Sequence, residues 1–563
     1  GIMSLGANKQ ALMGAAGAGG GAVDFYDYQI PKSCRFSNQN NYLKGPSNTA
    51  GADKKYTVSV WVKRTSFDKY SAVMGDSLGN WTLNFNASNQ LALSSHTEVI
   101  TTAVFRDPSA WYHIVAGNGP NSGDGFIYVN GVEQVLSGNT FNTNSGMFRS
   151  GTSVNIGQSN NAGYAYDFPG YIAECIGLYD ITKSASDFGE FKNGVWIPKE
   201  YTSFTTSQSF YLKFEDASDL GNDSSGNNRD FTTYNMGTDH QVLDSPTFSA
   251  TDGNGGNFCT WNPLQSDANL GGATKRATLS EGNLLATYDP GNYGQAIGTM
   301  GTKTGKFYTE YYINDAGYPS WAVGWTYSSR FEPYDGNSPA AGVGFLCTVG
   351  YFTGTDIYLS EFGNLVTNPT HPTYSSWTSS GTAPAQGDII MSAMDFDAGK
   401  AWFGKNGEWG NIGSGAGNPA TGANASLTWN AATFSSFHKY PFQLNYQGGI
   451  ALNAGQDPTS FGNITAGGNA DDNGFGNFKY DVPAGFLSLC SGNLSAAGAD
   501  PAEQKQPSKY FDAITYTGNG SNTNSLTTTL KAISYWGKNI TLGASVSSSW
   551  FSQTGNDFGT GTD

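Results

Sequence analysis

Long stretches of this chain place an apolar or aromatic residue at every second position. Tyr56-Thr57-Val58-Ser59-Val60-Trp61-Val62-Lys63, Trp81-Thr82-Leu83-Asn84-Phe85 and Phe126-Ile127-Tyr128-Val129 all do so. Side chains of a strand alternate between its two faces, so this period predicts half-buried β-strands. Turn chemistry agrees. Asn130-Gly131 follows the third run and Asn406-Gly407 follows Ala401-Trp402-Phe403, and Asn-Gly favours a tight hairpin because both residues tolerate φ > 0. Charged residues make up 13% of the 563, while 75 are glycine and 14% are aromatic. A coiled coil or α-solenoid would draw about half its residues from Ala, Glu, Lys, Leu and Arg, and a disordered chain would lack the aromatics. The expected class is all-β, with one short helix over residues 184–193.

The 29 Lys and Arg are spread among 45 Asp and Glu, for a net charge of −16. Nucleic-acid affinity comes mainly from basic groups neutralising phosphates. With no basic stripe, neither nucleic acid nor an anionic membrane is expected as a partner. No apolar run approaches the ~18–20 residues of a membrane helix, and a basic region leading into an apolar stretch is missing from the N-terminus, so no secretory signal is expected. Cys34, Cys175, Cys259, Cys347 and Cys490 are odd in number and widely spaced, with no Cys-x-x-Cys pair. Buried reduced thiols are expected, which suits assembly in a cytoplasm.

Composition shifts divide the chain. Residues 1–23 end in a Gly/Ala tract that cannot hold a fixed conformation alone, and read as a flexible arm that orders against a partner. From Asp24 the strand period begins. Ser33-Cys34-Arg35-Phe36, Val60-Trp61-Val62-Lys63-Arg64, Trp111-Tyr112-His113-Ile114-Val115, Ile127-Tyr128-Val129-Asn130-Gly131 and Gly170-Tyr171-Ile172-Ala173-Glu174 follow in order. The series resembles a laminin-G-like, concanavalin A-like jelly roll over residues 24–245. A second series is similar to a SPRY domain, a bent β-sandwich within 246–495. It comprises Phe258-Cys259-Thr260-Trp261-Asn262-Pro263, Gly305-Lys306-Phe307-Tyr308-Thr309-Glu310-Tyr311, Trp321-Ala322-Val323-Gly324-Trp325 and Asp395-Phe396-Asp397-Ala398-Gly399-Lys400-Ala401-Trp402-Phe403. The remaining 496–563, with Tyr516-Thr517-Gly518-Asn519-Gly520, read as a small C-terminal β-module too short to fold alone. The whole order resembles tailed-bacteriophage virion proteins of the marine-phage type, described as tail fibres. The resemblance implies a virion location, assembly in the host cytoplasm, contact with other virion proteins through the arm, a homo-oligomer (a trimer in most fibres) and host-surface glycan recognition. A capsid-decoration or tail-attached protein without a receptor, and a polysaccharide depolymerase, are the alternatives.

The residues themselves argue for binding over catalysis. A glycoside hydrolase needs two carboxylates flanking the scissile bond, and the strand pattern Glu-x-Asp-x-x-Glu is missing. Asp395 and Asp397 share a face but precede the Gly399 turn, where a solvated turn is the better account. The five histidines form no metal pair, and no nucleophile elbow or phosphate loop occurs. His113 reads as a core residue. Exposed aromatics in polar loops suit sugars, because a ring packs on pyranose C–H groups while Asn and Asp take the hydroxyls. Such loops hold Tyr164, Tyr166 and Asp167 in the first sandwich, and Tyr318, Phe331 and Tyr334 in the second. Asp216, Asp219, Asp223 and Asn227, with Asn228, sit in a glycine-punctuated loop of hard oxygen ligands that would suit Ca²⁺. The spacing is not that of an EF-hand, and a loop of Asx turns satisfying its own backbone is the favoured alternative.

Overall fold

The computed structural model describes residues 25–494 apart from 38–39, 50–54, 96, 120, 122–123, 139–145, 162–163, 265–273, 316–320, 327–344, 352–357, 362–363, 366–384 and 411–414, and beyond 494 only 534–537 and 549–552. The fold is all-β: consecutive antiparallel sandwiches, with helical structure among the described residues confined to short 3₁₀ turns. No helix among these residues is long and apolar enough to cross a membrane. The chain divides into two compact units, 1–496 and 497–563, and the first holds both sandwiches.

The first sandwich has two eight-stranded sheets. One orders Val132–Glu133, Phe126–Val129, Trp111–Asn118, Tyr56–Arg64, Gly170–Tyr179, Ser33–Phe36 and Gln241–Val242, with Phe210–Leu212 also on Gly170–Tyr179. The other runs Leu136–Gly138, Thr97–Val104, Gln90–Ser95, Trp81–Phe85, Ser71–Asp76, Val154–Ile156, Tyr42–Lys44 and Thr232–Tyr234. Between them lie Val58, Val60, Val62, Ile114 and Ile172 against Leu43, Met74, Leu83 and Leu93. This is the layer that the period predicts.

Two expectations are corrected here. All nine residues of Tyr56–Arg64 are buried, not one face of them. Trp61, Trp111, Tyr171 and Ile176, on the outer face, pack with Trp196, Tyr201 and Tyr211 into a second core. The roof that carries Trp196 is the second correction. The expected helix over 184–193 is a single 3₁₀ turn, Ala185–Asp187, followed by a hairpin pairing Gly189–Lys192 with Val195–Pro198. Asn193 and Gly194 turn it at φ of 52° and 79°, so it carries the same Asn-Gly signal as Asn130-Gly131.

His113 lies within this roof, as a core residue. Its Nδ1 accepts from Trp196 Nε1 at 2.9 Å and its Nε2 sits 2.8 Å from Ser59 Oγ. The neutral tautomer with the proton on Nε2 satisfies both contacts. Burial pushes its pKa down to about 3.

The second sandwich is one continuous ladder of fourteen strands. Its pivot, Tyr440–Asn453, runs beside Leu285–Ile297 along one edge. Along the other it pairs first with Trp321–Thr326 and then with Lys306–Asp315. Changing partner midway lets one sheet bend over itself and enclose Trp261, Phe307, Tyr311, Trp325, Ile390 and Phe403.

A buried polar seam joins the sandwiches. Lys63 Nζ donates to Asp244 Oδ2 (2.7 Å), Asn257 Oδ1 (2.7 Å) and the Phe258 carbonyl (2.9 Å). Arg35, fully buried, pairs with Asp457 and lies 3.7 Å from Glu281. Tyr171 Oη donates to the Gly282 carbonyl at 2.7 Å. In the second unit the described residues form one hairpin, Ser534–Gly537 with Ser549–Ser552. The arm over 1–23 and the Tyr516–Gly520 motif fall outside the described residues. Cys34, Cys175, Cys259 and Cys490 are buried free thiols; the side chain of Cys347 is outside the described set.

Candidate functional site: an aromatic patch on the first sandwich

Between Tyr56–Arg64 and Ser71–Asp76 the chain makes a tight loop through Asp68, whose φ is 57°. Asn89 fixes that turn. Its Oδ1 accepts from the Asp68 N–H at 2.9 Å and its Nδ2 donates to Asp68 Oδ1 at 2.7 Å. Arg64 donates to Asn89 Oδ1 while its guanidinium lies over the rings of Phe67 and Phe85. A loop anchored this way presents its next aromatic with little entropy left to lose on binding. That residue is Tyr70, 49% exposed.

Across from it, Gln158–Asn161 pairs with Tyr164–Asp167 in a small hairpin, which lies over the outer face of the second sheet. Ser159 Oγ meets Thr82 Oγ1 at 2.8 Å. The close approach requires glycine beneath: a Cβ on Gly75 would fall 2.6 Å from that of Ser159. The hairpin sets Tyr166, half-buried, with its ring centroid 5.7 Å from that of Tyr70 at 44°. Asp167 Oδ1 accepts from Gln158 Nε2 at 2.9 Å. The two tilted phenol rings can pack on apolar C–H groups, and the Asp167 carboxylate and Gln158 amide, one residue along on each strand of the hairpin, can exchange hydrogen bonds with hydroxyls.

Of the sequence candidates, the structure sets Tyr166 against Tyr70 and Asp167 against Gln158. Tyr164 shares their strand, with its side chain outside the described residues. Tyr318, Phe331 and Tyr334 also lie outside them. Tyr70 and Gln158 were not singled out from sequence, although Asp68-Lys69-Tyr70 has the aromatic-in-polar-loop pattern used for the others.

The Asp/Asn loop satisfies its own backbone. Asp223 accepts from the N–H groups of Tyr211, Ser225 and Arg229 at 2.8–3.0 Å and from Ser225 Oγ. The exposed Asp216 caps Ser218, whose hydroxyl and N–H hold its pKa below the usual carboxylate range. Asn227 donates to the carbonyls of Thr206 and Ser209. Among the described residues no three His, Cys, Asp or Glu side chains gather closely enough to hold a metal ion.

Several buried carboxylates are already engaged. Glu174 occupies a β-bulge at φ 43°, where Tyr28 and Tyr211 both donate to its Oε1. Burial pushes its pKa up to about 7, against the pull of those hydroxyls and of Lys213. Asp244 is taken by Lys63 and by Trp111 Nε1 at 3.0 Å. Asp395, expected in a solvated turn, is instead buried and paired with Lys306 at 3.0 Å; Asp397 is exposed and accepts from the Gly305 N–H.

Residues 37–187, which include the whole aromatic patch, match the family described as the concanavalin A-like lectin/glucanases superfamily. No curated protein matches the chain. Among solved structures, one is a protein from Bacteroides ovatus provisionally described as carbohydrate binding, 16% identical with a TM-score of 0.26. The match covers 37% of this chain and 59% of that one, so the chain spans under two thirds of its length. The SPRY domain of human HERC1 is 17% identical over 30% of this chain and 87% of that domain, with a TM-score of 0.20. Domain 4 of the extracellular arabinanase AbnA from Geobacillus stearothermophilus, solved with arabinotriose, is 19% identical over 28% and 76%, with a TM-score of 0.21.

Proposed function

We propose that this chain is a structural subunit of a tailed-phage virion, a tail fibre or appendage, that recognises host-surface glycans without cleaving them. The observation that carries the binding reading is the Tyr70–Tyr166 ring pair, with Tyr166 on a hairpin that also pairs Asp167 with Gln158, within the stretch that matches a lectin and glucanase superfamily. The non-catalytic reading is supported by Glu174, Asp244 and Asp223, whose oxygens accept from tyrosines, Lys63, Trp111 and backbone N–H groups. The virion role rests on the order of sequence motifs, as do attachment through the 1–23 arm and a homo-oligomer, a trimer by preference. Several weak sugar contacts acting together then give useful avidity through effective concentration.

The test is binding of the full chain to a glycan array and to bacterial cells, with Tyr70→Ala and Tyr166→Ala beside it. Retention by the intact protein and loss of roughly tenfold in affinity per variant is expected, about 1.4 kcal/mol. Release of reducing ends from the bound polysaccharide would replace this reading with a depolymerase. Antibody labelling of purified virions tests the location.

A further inference from the structure

We infer that the aromatic patch is one end of an elongated strip, and that its ligand is an extended polysaccharide chain, not a terminal sugar. The inference rests on the glycan-binding reading and deepens it. Four neighbouring strands carry the strip: Ser71–Asp76, Val154–Ile156, Tyr42–Lys44 and Thr232–Tyr234. At the usual strand spacing they span about 14 Å. Leu43 points into the core, so by strand alternation Tyr42 and Lys44 stand on the outer face, the face over which the Gln158–Asn161 hairpin lies.

At the far edge of the sheet Tyr42 and Tyr234 are directly paired, and their rings stack at 4.5 Å with planes 1° apart. Tyr234 lies on the last strand and is 38% exposed. A stacked pair at a sheet edge is a rigid second platform, because each ring restrains the other. A row of polar groups runs from the hairpin to the turn after Tyr234. Asp167 accepts from Gln158 Nε2, which lies 3.4 Å from Asn40 Oδ1, and the Asn40 carbonyl accepts from Asn235 Nδ2 at 3.3 Å. Asn40 and Asn235, both exposed, hold left-handed φ values of 54° and 53°, so turns set where their backbones stand. An aromatic platform at each end with amides and a carboxylate between suits a chain of pyranoses lying along the strip. Rings pack on alternate sugars and hydroxyls meet the middle.

The experiment uses the polysaccharide bound by the intact chain in the array or cell assay, cut and separated by length, and measures affinity against length. Affinity is expected to climb with length and then level off once both platforms are spanned. Tyr234→Ala is expected to flatten the climb, with a loss of about five- to tenfold on the longest fragments. Asn40→Gly, which keeps the left-handed turn and deletes the amide, gives a smaller loss on the same fragments and guards against a Tyr234 effect on folding. Length-independent affinity, or long-fragment binding unmoved by both variants, overturns the strip while leaving the glycan reading intact. Failure of the intact chain to bind any array glycan or cell surface overturns the glycan reading itself.

Discussion

Two polar networks in the first sandwich use similar groups and meet opposite fates. In the seam, the ammonium of Lys63 has three N–H donors and three buried acceptors, Asp244, Asn257 and the Phe258 carbonyl. Its hydrogen bonding is saturated inside the protein. On the strip, Asp167 and Gln158 also bond to each other, yet the carboxylate is partly exposed and can accept more. Lys63 bridges the two domains and has no donor left to offer. The strip keeps polar capacity facing water, where an incoming hydroxyl can replace a solvent molecule at little cost.

That contrast can be broken at its buried end first. Asp244→Ala leaves Lys63 with its charge in a site closed to water, and the expected loss is about 3–5 kcal/mol, read as a drop in the chemical or thermal unfolding midpoint. Glu174 comes next. Its pKa rises from the unfolded 4.5 to about 7 in the fold, so the native state binds more protons in that window and stability declines as pH rises through it. His113 has the opposite sign. Its pKa falls from 6.5 to about 3, so the unfolded state takes up the proton and stability declines as pH falls from 6.5 towards 3. Glu174→Gln is expected to abolish the first decline, worth on the order of 3 kcal/mol, and to expose the second in denaturant titrations across pH.

Asp223→Ala removes the acceptor of three backbone N–H groups and is expected to cost about 1–3 kcal/mol. Melting measured with added calcium and with chelator is expected to coincide for the parent chain, and a calcium-dependent rise would return the 216–227 loop to the metal reading. The smallest stability effect is expected on the strip: Tyr70→Ala stays within about 0.5 kcal/mol of the parent while losing glycan affinity. A large fall in its melting temperature would make Tyr70 a structural residue and erase the distinction between seam and strip.

Much of this was legible in the chain itself. The period-2 runs and the Asn130-Gly131 turn located strands and a hairpin, and the aromatic-in-polar-loop rule singled out Tyr166 and Asp167. The same rule passed over Tyr70, since its meaning depends on a hairpin some ninety positions later. The helix expected over 184–193 gives way to a turn and a hairpin because Asn193-Gly194 adopts left-handed φ and reverses the chain.

The alternation of Tyr56–Arg64 specified which side chains share a face, because that depends only on backbone geometry within the strand. It could not specify that both faces would be covered. Trp196 reaches His113 across 83 positions, Arg35 meets Asp457 across 422, and Tyr42 stacks on Tyr234 across 192. Local pattern sets what a segment can become. Which surfaces close and which stay open to a ligand is settled only when distant segments compete for the same face, and that competition leaves no periodic trace in the sequence.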